Sequence, residues 1–291
     1  MKGRTILVTG SNGLTGAQLL RVIKKSKELK KANIVLANRK HSPAKEFKEE
    51  LIQDLAYKKD WEYLIARHEP DQILNISNIR HSSAMLEAIR TSKIKPKIYI
   101  IGTTAIYSRH KCCRQEYKSL ENKIKSYDGE YCILRPSMIY GSDKDKNMSK
   151  VVRFIKKYKF FPIFGRGQNL MQPVYYKDLA NAIGTTLEKN LSVRAIDLAG
   201  AHSQTYESII KEVFISMKIR PRIIRLPIES SKQIVKNLPK VLSSRIPVTY
   251  EQLIRLQEDK AFNIETARKL LGYNPVSFNE GIRNQVNESN S

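Results

Sequence analysis

Short apolar runs alternate with amphipathic segments along the first half of the chain. TILV at residues 5–8 and DQILNIS at 71–77 are short and mostly apolar, so both predict buried strands. Apolar residues recur at helical spacing in residues 17–23, and SSAMLEAIRTS at 82–92 has the same character. Strands that alternate with helices indicate parallel βαβ units, so the pattern predicts an α/β protein with a parallel sheet.

Further segments extend this pattern. We predict strands in ANIVLANR, ending near Asn38, in KIYIIGTTAIY (97–107) and at the start of EYCILRPSMIYG (130–141), with a helix in EYKSLENKIKSY. After about residue 142 the segments become less regular, although YESIIKEVFISM and IETARKLLGY have helical periodicity. We therefore interpret residues 1–141 as the core and 142–291 as a smaller lobe interleaved with it. NQVNESNS, at the end, is predicted to be a frayed tail.

A glycine-rich turn, TGSNGLTG at residues 9–16, joins the first predicted strand to the first helix. Gly10 would permit a tight turn, Gly13 would let the backbone approach a pyrophosphate, and Gly16 would let helix and strand pack closely. The N–H groups of the first helical turn would then face the phosphates. An ordinary glycine-rich turn is the alternative. Strand, turn and helix in this order instead favour a dinucleotide-binding core, which we assign to residues 1–141.

The end of the second strand bears on which dinucleotide is bound. An acid there selects the ribose hydroxyls of NAD, whereas a nearby Arg favours the 2′-phosphate of NADP. This chain has Asn38-Arg39-Lys40, with no acid, and the Arg39 guanidinium suits a phosphate. We therefore predict NADP in preference to NAD, with a plain surface role for Arg39 as the alternative.

Residues that follow the predicted strands should share one edge of the sheet. Parallel strands bring their carboxyl ends together, and ligands of such sheets bind outside those ends. The residues concerned are Gly10, Arg39, Ser77, Thr103 and Pro136.

The net charge of +24, from 52 Lys plus Arg against 28 Asp plus Glu, would attract anions. The densest basic runs, KKSKELKK (24–31) and KKYK (156–159), fall on predicted helices, where a solvated face explains them. We expect no specific nucleic-acid binding, because no recognised motif accompanies the charge. Loose association with an anionic membrane surface is an open alternative.

Other composition features narrow the class of protein. There is no apolar run of about 18 residues, so no membrane span is expected. Three cysteines, an odd number, indicate a reducing compartment, and we expect a cytoplasmic protein. Neither the cysteines nor the five histidines show metal-ligand spacing, so no metal site is predicted.

Several motifs in order resemble the extended or atypical short-chain dehydrogenases/reductases of the NAD-dependent epimerase/dehydratase type. They are TGSNGLTG, Asp54-Leu55, ILNIS, IIGTTAIY, ILRPSMIYG, QPVYYKDLANAI and AFNIETARKLLGYNPVSFNEGI. Each motif is modest alone, but the ordered set spans nearly the whole chain. The resemblance implies a doubly wound, Rossmann-like parallel sheet, a nicotinamide cofactor and a nucleotide-diphosphate sugar in a cleft beside a smaller C-terminal substrate lobe.

The resemblance also implies roles for individual residues. On the cofactor side these are Gly10, Asn12, Gly13, Leu14 and Gly16 at the pyrophosphate, Arg39, Asp54 and Leu55 at the adenosine, Ser77 behind the dinucleotide, and Pro136 and Met138 at the nicotinamide. Thr103, which would also contact the cofactor, matches the family's catalytic Ser or Thr. The implied substrate contacts are Thr104, Asn147 and Gln172, with Arg166 replacing an Arg that relatives carry near Met171.

The match fails at the family's Tyr-x-x-x-Lys motif, in which the Tyr is a general acid/base one helical turn from the Lys. If Tyr117 is the base, the Lys position holds Glu121. If Glu121 instead matches the acidic residue that often follows the motif, the Tyr and Lys positions hold Cys113 and Tyr117. Tyr117 and Tyr140 are both candidate acids, although a packed aromatic is the favoured interpretation of Tyr140.

Three functions are therefore considered. The first is an epimerase, reductase or dehydratase acting on a nucleotide-diphosphate sugar, with NADP or NAD and a non-standard catalytic site. The second is a dinucleotide-binding module without catalysis, serving as a redox sensor or an assembly partner. The third is a reductase of a non-sugar carbonyl or quinone. The chain is expected to be a monomer or a homodimer.

Overall fold

A computed structural model of the protein describes residues 3–229 and 257–288. Its largest element is a seven-stranded sheet in the spatial order β11-β6-β5-β4-β1-β2-β3. The strands are β1 (Thr5–Thr9), β2 (Asn33–Asn38), β3 (Lys48–Leu51), β4 (Gln72–Asn75), β5 (Lys97–Ile101), β6 (Tyr131–Pro136) and β11 (Ala195–Leu198). Every neighbouring pair in this sheet is parallel.

Helices cover both faces of the sheet, which is why its central strands are apolar throughout. One face packs against α1 (Leu14–Lys25), α6 (Tyr176–Glu188) and α8 (Glu265–Leu271), and the other against α2 (Lys58–His68), α3 (Ser82–Thr91) and α4 (Lys111–Lys125). Two apolar clusters result, one on each face. The predicted α/β fold with a doubly wound parallel sheet is confirmed.

A third apolar cluster lies outside the sheet. It is built from α5 (Met148–Tyr158), α7 (Tyr206–Ser216), α9 (Phe278–Glu288) and the parallel pair β8 (Phe161–Phe164) and β13 (Ile223–Leu226). Two short pairs accompany it: β7 (Ile139–Tyr140) with β10 (Val174–Tyr175), and β9 (Leu170–Met171) with β12 (Gln204–Thr205). Residues after 142 thus supply this cluster as well as β11 and α6 of the sheet layers.

Two sequence-based boundaries are wrong because polar side chains redirect the backbone. The strand predicted over 97–107 ends at Ile101, and a 3₁₀-helix begins at Thr104 because the Thr103 hydroxyl accepts the N–H of Ala105. The helix predicted over 24–31 ends at Lys25. Ser26 caps the next turn by accepting the N–H of Leu29, and a short 3₁₀-helix follows.

The predicted frayed tail is also wrong over most of its length. Helix α9 extends to Glu288, and only residues 289–291 lie outside the described part of the chain. The Gln285 amide is fully buried and donates to the Ser142 carbonyl and to Asp145 Oδ2. This polar contact anchors the helix, and its apolar positions pack into the third cluster.

Strand β3 has no counterpart among the predicted elements, because its sequence, KEEL, is mostly charged. It forms the edge of the sheet, and its Glu50 accepts hydrogen bonds from Tyr63 and Arg67 of α2 and lies 2.9 Å from His68. Within residues 3–229 and 257–288, no helix combines the length and apolar character that crossing a bilayer requires.

The glycine turn between β1 and α1 depends on two very close backbone contacts. Gly10 has φ +73°, and a Cβ there would lie 2.8 Å from the Ser77 backbone. A Cβ on Gly16 would lie 2.2 Å from the Gly10 carbonyl oxygen, whereas one on Gly13 would lie 3.3 Å from the same atom. Helix α1 can therefore start this close to β1 only if residue 16 has no side chain.

We predict that Gly16→Ala lowers the free energy of unfolding by about 1–3 kcal/mol, because the new methyl group must displace backbone. Gly13→Ala is the matched control and should cost less than about 1 kcal/mol, since Gly13 has an ordinary φ of −74°. Urea unfolding of both variants measures the difference. Equal losses would contradict the packing role of Gly16.

Candidate functional site

The amino end of α1 faces the edge of the sheet at the end of β1. Gly13 is its N-cap, and in the described structure no side chain caps it and no acid lies in its first turn. Its first N–H groups and the helix dipole therefore suit an anion such as a phosphate. Leu14 starts the helix and packs partly against the third cluster.

A polar network stands directly behind the turn. The Thr9 and Ser77 hydroxyls both donate to Asn75 Oδ1, at 2.9 Å each, and Ser77 Oγ lies 3.0 Å from His81 Nδ1. Burial, and then the nearby Arg39 charge, lower the pKa of His81, although Asp54 opposes the shift. The network holds Ser77 and the loop after β4 against Gly10.

At the end of β2 the structure places an acid that sequence reasoning missed. Glu49 of β3 accepts from the Asn38 amide at 2.9 Å and from the Ser42 N–H at 2.7 Å, and it lies 2.9 Å from His41 Nδ1. Burial opposes ionisation of Glu49, but these hydrogen bonds lower its pKa overall. The Asn38 carbonyl in turn accepts from Ser11, so both ends of its amide are engaged within the protein.

The other residues expected at the adenosine differ in exposure. Arg39 is exposed, and its charge lowers the pKa of His81 while that of Asp54 raises it. The Asn12 amide donates to the Lys40 carbonyl at 2.8 Å, which ties the glycine turn to the loop after β2. Leu55 is buried and belongs to the second apolar cluster.

A cleft of about 420 Å³ opens beyond the ends of β5 and β6. Among the residues predicted for cofactor or substrate, Thr103, Thr104, Pro136, Met138, Asn147 and Gln172 line it. Lys146, Lys150 and Lys260 also line it and were not predicted. The cleft therefore combines apolar walls, two threonines and three cationic side chains.

Two of the predicted substrate contacts have structural partners. The Gln172 amide donates to the Gly200 carbonyl and accepts the Phe262 N–H, each at 2.7 Å, so it joins three chain segments. The Asn147 amide contacts the Ile139 carbonyl at 3.4 Å at the start of α5. Arg166 is exposed in the turn after β8 and does not line the cleft.

The helix expected to carry the catalytic pair, α4, instead carries a buried carboxylate. Glu121, 1% exposed, receives two hydrogen bonds from Arg135 of β6, at 2.7 and 2.5 Å. Arg135 also donates to the Tyr107 hydroxyl, which donates to Asp197 Oδ2, each at 2.8 Å. Burial, and then the contact with Asp197, raise the pKa of Tyr107 to about 12.

Neither tyrosine considered as an acid lines the cleft. Tyr117 packs partly buried on the second apolar cluster, with the Arg80 guanidinium 5.7 Å from its ring centroid. Tyr140 is 1% exposed, its ring centroid is 4.9 Å from that of Phe278, and burial raises its pKa. The packed interpretation of Tyr140 agrees with this placement.

The Glu121–Arg135 pair bears on the two alignments of the family motif. A side chain so fully engaged in the interior cannot act in the cleft as the motif's Lys does. Tyr117, which occupies the Lys position in the other alignment, does not line the cleft either, so the placement selects neither alignment. The Cys113 side chain, at the Tyr position of that alignment, lies outside the described residues.

The chain belongs to the NAD dependent epimerase/dehydratase family, whose model matches residues 6–199. Solved structures that cover nearly all of it share the fold at low identity. They include UDP-glucuronic acid 4-epimerase from Bacillus cereus in complex with NAD (TM-score 0.71, 17% identity, 98% of each chain) and dTDP-glucose 4,6-dehydratase from Bacillus anthracis in complex with NAD (TM-score 0.74, 14% identity, 99% of this chain and 97% of that one).

The chain is also similar to a protein named as a subunit of NADH dehydrogenase. The chain is 26% identical over 154 residues to the mitochondrial NADH dehydrogenase [ubiquinone] 1 alpha subcomplex subunit 9 of Arabidopsis thaliana. That match spans 52% of this chain and 37% of the plant protein.

We predict that Glu121→Ala lowers the free energy of unfolding by about 3–5 kcal/mol, because it leaves the Arg135 charge buried without its main partner. The matched control is Glu116→Ala, which breaks the Arg80 pair at the surface, where both side chains are about half exposed. That change should cost less than about 1 kcal/mol. Denaturant titration measures both losses, and a small effect at Glu121 would contradict the structural role assigned to it.

Proposed function

We propose that the protein binds NADP, or NAD, on its glycine turn and acts on a nucleotide-diphosphate sugar held in the cleft, as an epimerase, reductase or dehydratase. The observation that carries this proposal is the position of the cleft. It opens at the ends of β5 and β6, on the same sheet edge as the uncapped amino end of α1.

The residues at this edge fit a dinucleotide. Gly10, Asn12, Gly13, Leu14 and Gly16 form the turn that would hold the pyrophosphate, with Ser77 packed behind it. Pro136 and Met138, which line the cleft, would lie at the nicotinamide. Asp54 would lie toward the adenine. Leu55 would support that end from the core.

The preference for NADP rests on Arg39. The only carboxylate beside the end of β2 in these contacts is that of Glu49, which already accepts from the Asn38 amide and the Ser42 N–H, so it is not open to two ribose hydroxyls. The Asn38 amide is held by Glu49 and Ser11. Arg39 is exposed beside them and would pair with a 2′-phosphate. The solved structures from both Bacillus species hold NAD, so a preference for NADP would distinguish the present chain from them.

The cleft would attract the diphosphate of the sugar nucleotide through its lysines. Lys146 and Lys150 are exposed at the start of α5, and Lys260 also lines the cleft. Arg166, outside the cleft, would contribute only if its turn moved inward. Thr104, Asn147 and Gln172 would shape the sugar end.

The nicotinamide, when bound, supplies hydride transfer to or from a sugar carbon. Thr103 would orient the reacting oxygen by hydrogen bonding, since its hydroxyl lies at the end of β5 and lines the cleft. The position of Tyr117 against Arg80 makes it a weak candidate for the proton, and the buried Tyr140 is weaker still. The proton-transfer group therefore lies outside the family's usual pair.

A second candidate is a cofactor-binding subunit without catalysis. The buried Glu121–Arg135 pair, which occupies the inner side of α4, favours it. So does the similarity to a protein named as an NADH dehydrogenase subunit. The two functions make opposite predictions for turnover.

We predict that NADPH binds more tightly than NADH, and that Arg39→Ala weakens NADPH about tenfold or more while leaving NADH almost unchanged. Fluorescence titration of the reduced cofactors measures both affinities. Arg21→Ala, an exposed change on α1, is the control and should alter neither. Equal weakening of NADPH and NADH binding by Arg39→Ala would contradict a role of Arg39 in binding the 2′-phosphate.

For turnover, the protein with either cofactor is incubated with UDP- and dTDP-linked sugars, and the sugars are followed by NMR. We expect one sugar to be converted, and Thr103→Ala to lower kcat by roughly 100-fold because a hydrogen bond to the reacting oxygen is lost. Thr91→Ala, on the surface of α3, should leave kcat unchanged. Cofactor binding with every sugar unaltered would favour the second candidate.

A further inference from the structure

The β8–β13 pair carries an apolar face that points away from the core. The two strands are parallel, with Ile224 beside Pro162 and Leu226 beside Phe164. Phe161 and Ile163 are fully buried, so the alternating Pro162 and Phe164 belong to the outer face. Ile224 and Leu226 are 48% and 37% exposed.

Aromatic side chains extend this face toward the end of α5. Phe160 precedes β8 and alternates with the buried Phe161, and its ring centroid lies 6.3 Å from that of Tyr158. Tyr158 is 42% exposed. The term β8–β13 face is used below for these six residues: Tyr158, Phe160, Pro162, Phe164, Ile224 and Leu226.

Cations border this face. Lys157 Nζ lies 4.9 Å from the centroid of the Tyr158 ring, and Lys159 adjoins Phe160. Arg222 alternates in register with Ile224 and is exposed, so it belongs to the same face. The contrast is with Arg225 on the opposite face of β13, which Glu207 neutralises at 2.8 Å.

The sequence around the face has an unusual lack of acids. Residues 146–177 contain no Asp or Glu, and their cations are Lys146, Lys150, Arg153, Lys156, Lys157, Lys159, Arg166 and Lys177. Residues 213–228 likewise contain no acid but hold Lys218, Arg220, Arg222 and Arg225. Of these cations, Arg225 and Lys177 are paired with Glu207 and Glu288, and Lys146 and Lys150 lie at the cleft. The positive charge beside the exposed apolar groups therefore comes from Lys157, Lys159 and Arg222.

We propose that the β8–β13 face docks onto an anionic phospholipid bilayer. Apolar and aromatic side chains would enter the headgroup boundary while the bordering cations meet the lipid phosphates. Ile224 and Leu226 are aliphatic and suit acyl chains rather than stacked bases, and a second copy of the same face would bring like charges together. Charge complementarity thus selects an acidic lipid surface.

The test is vesicle sedimentation with the full chain. We expect binding to vesicles of phosphatidylcholine with phosphatidylglycerol, little binding to phosphatidylcholine alone, and release by added salt. Lys157→Glu with Arg222→Glu should lower the partition coefficient at least about tenfold. The charge-matched control, Lys118→Glu with Lys125→Glu on α4, should lower it much less.

A second pair of variants separates insertion from charge. Ile224→Ser with Leu226→Ser should lower vesicle binding at least about tenfold and leave retention on heparin unchanged, because heparin offers charge without an apolar layer. Leu51→Ser with Tyr57→Ser removes exposed apolar area elsewhere and should change neither. The proposal is overturned if the wild type binds vesicles equally well with and without phosphatidylglycerol. It is also overturned if the Ile224→Ser with Leu226→Ser variant binds vesicles like the wild type, or if that variant loses vesicle binding and heparin retention together.

Discussion

The contact between the Gly10 carbonyl oxygen and the backbone of Gly16 determines how the edge of the sheet is built. It allows α1 to begin directly at the end of β1, so that the first N–H groups of the helix face the ligand side of the sheet. The Ser77 backbone also packs closely on Gly10, which brings the end of β4 to the same turn. A side chain at position 10 or 16 would separate these elements.

A second constraint is the buried ion pair between α4 and β6. The Glu121–Arg135 pair joins α4 to β6, and Tyr107 and Asp197 extend the network to β11. This arrangement fixes the wall behind Thr103, but it uses the part of α4 where the family's acid/base chemistry is expected. The glycine turn therefore matches the family pattern while α4 departs from its Tyr-x-x-x-Lys motif, and this contrast underlies the two candidate functions.

Much of the fold could be predicted from local sequence. Gly10, Gly13 and Gly16 mark a turn because their spacing reflects backbone geometry, and the central strands show as apolar runs because both faces are covered. Strand β3 escaped prediction because it is an edge strand of charged residues. Glu49 was missed because it belongs to that edge strand, and the Glu121–Arg135 pair was missed because 14 residues separate its members on two different elements. Lys146 and Lys150 were indistinguishable from other surface lysines until the fold placed them at the cleft.

The central claim is that the glycine turn between β1 and α1 binds the dinucleotide. Hydrogen–deuterium exchange of the backbone amides, with and without saturating NADPH, tests this directly. The account predicts slower exchange at residues 13–17 and 77–79, with the β8–β13 face unaffected. Binding of NADPH without protection at the amino end of α1, or no binding of either NADPH or NADH, would contradict it.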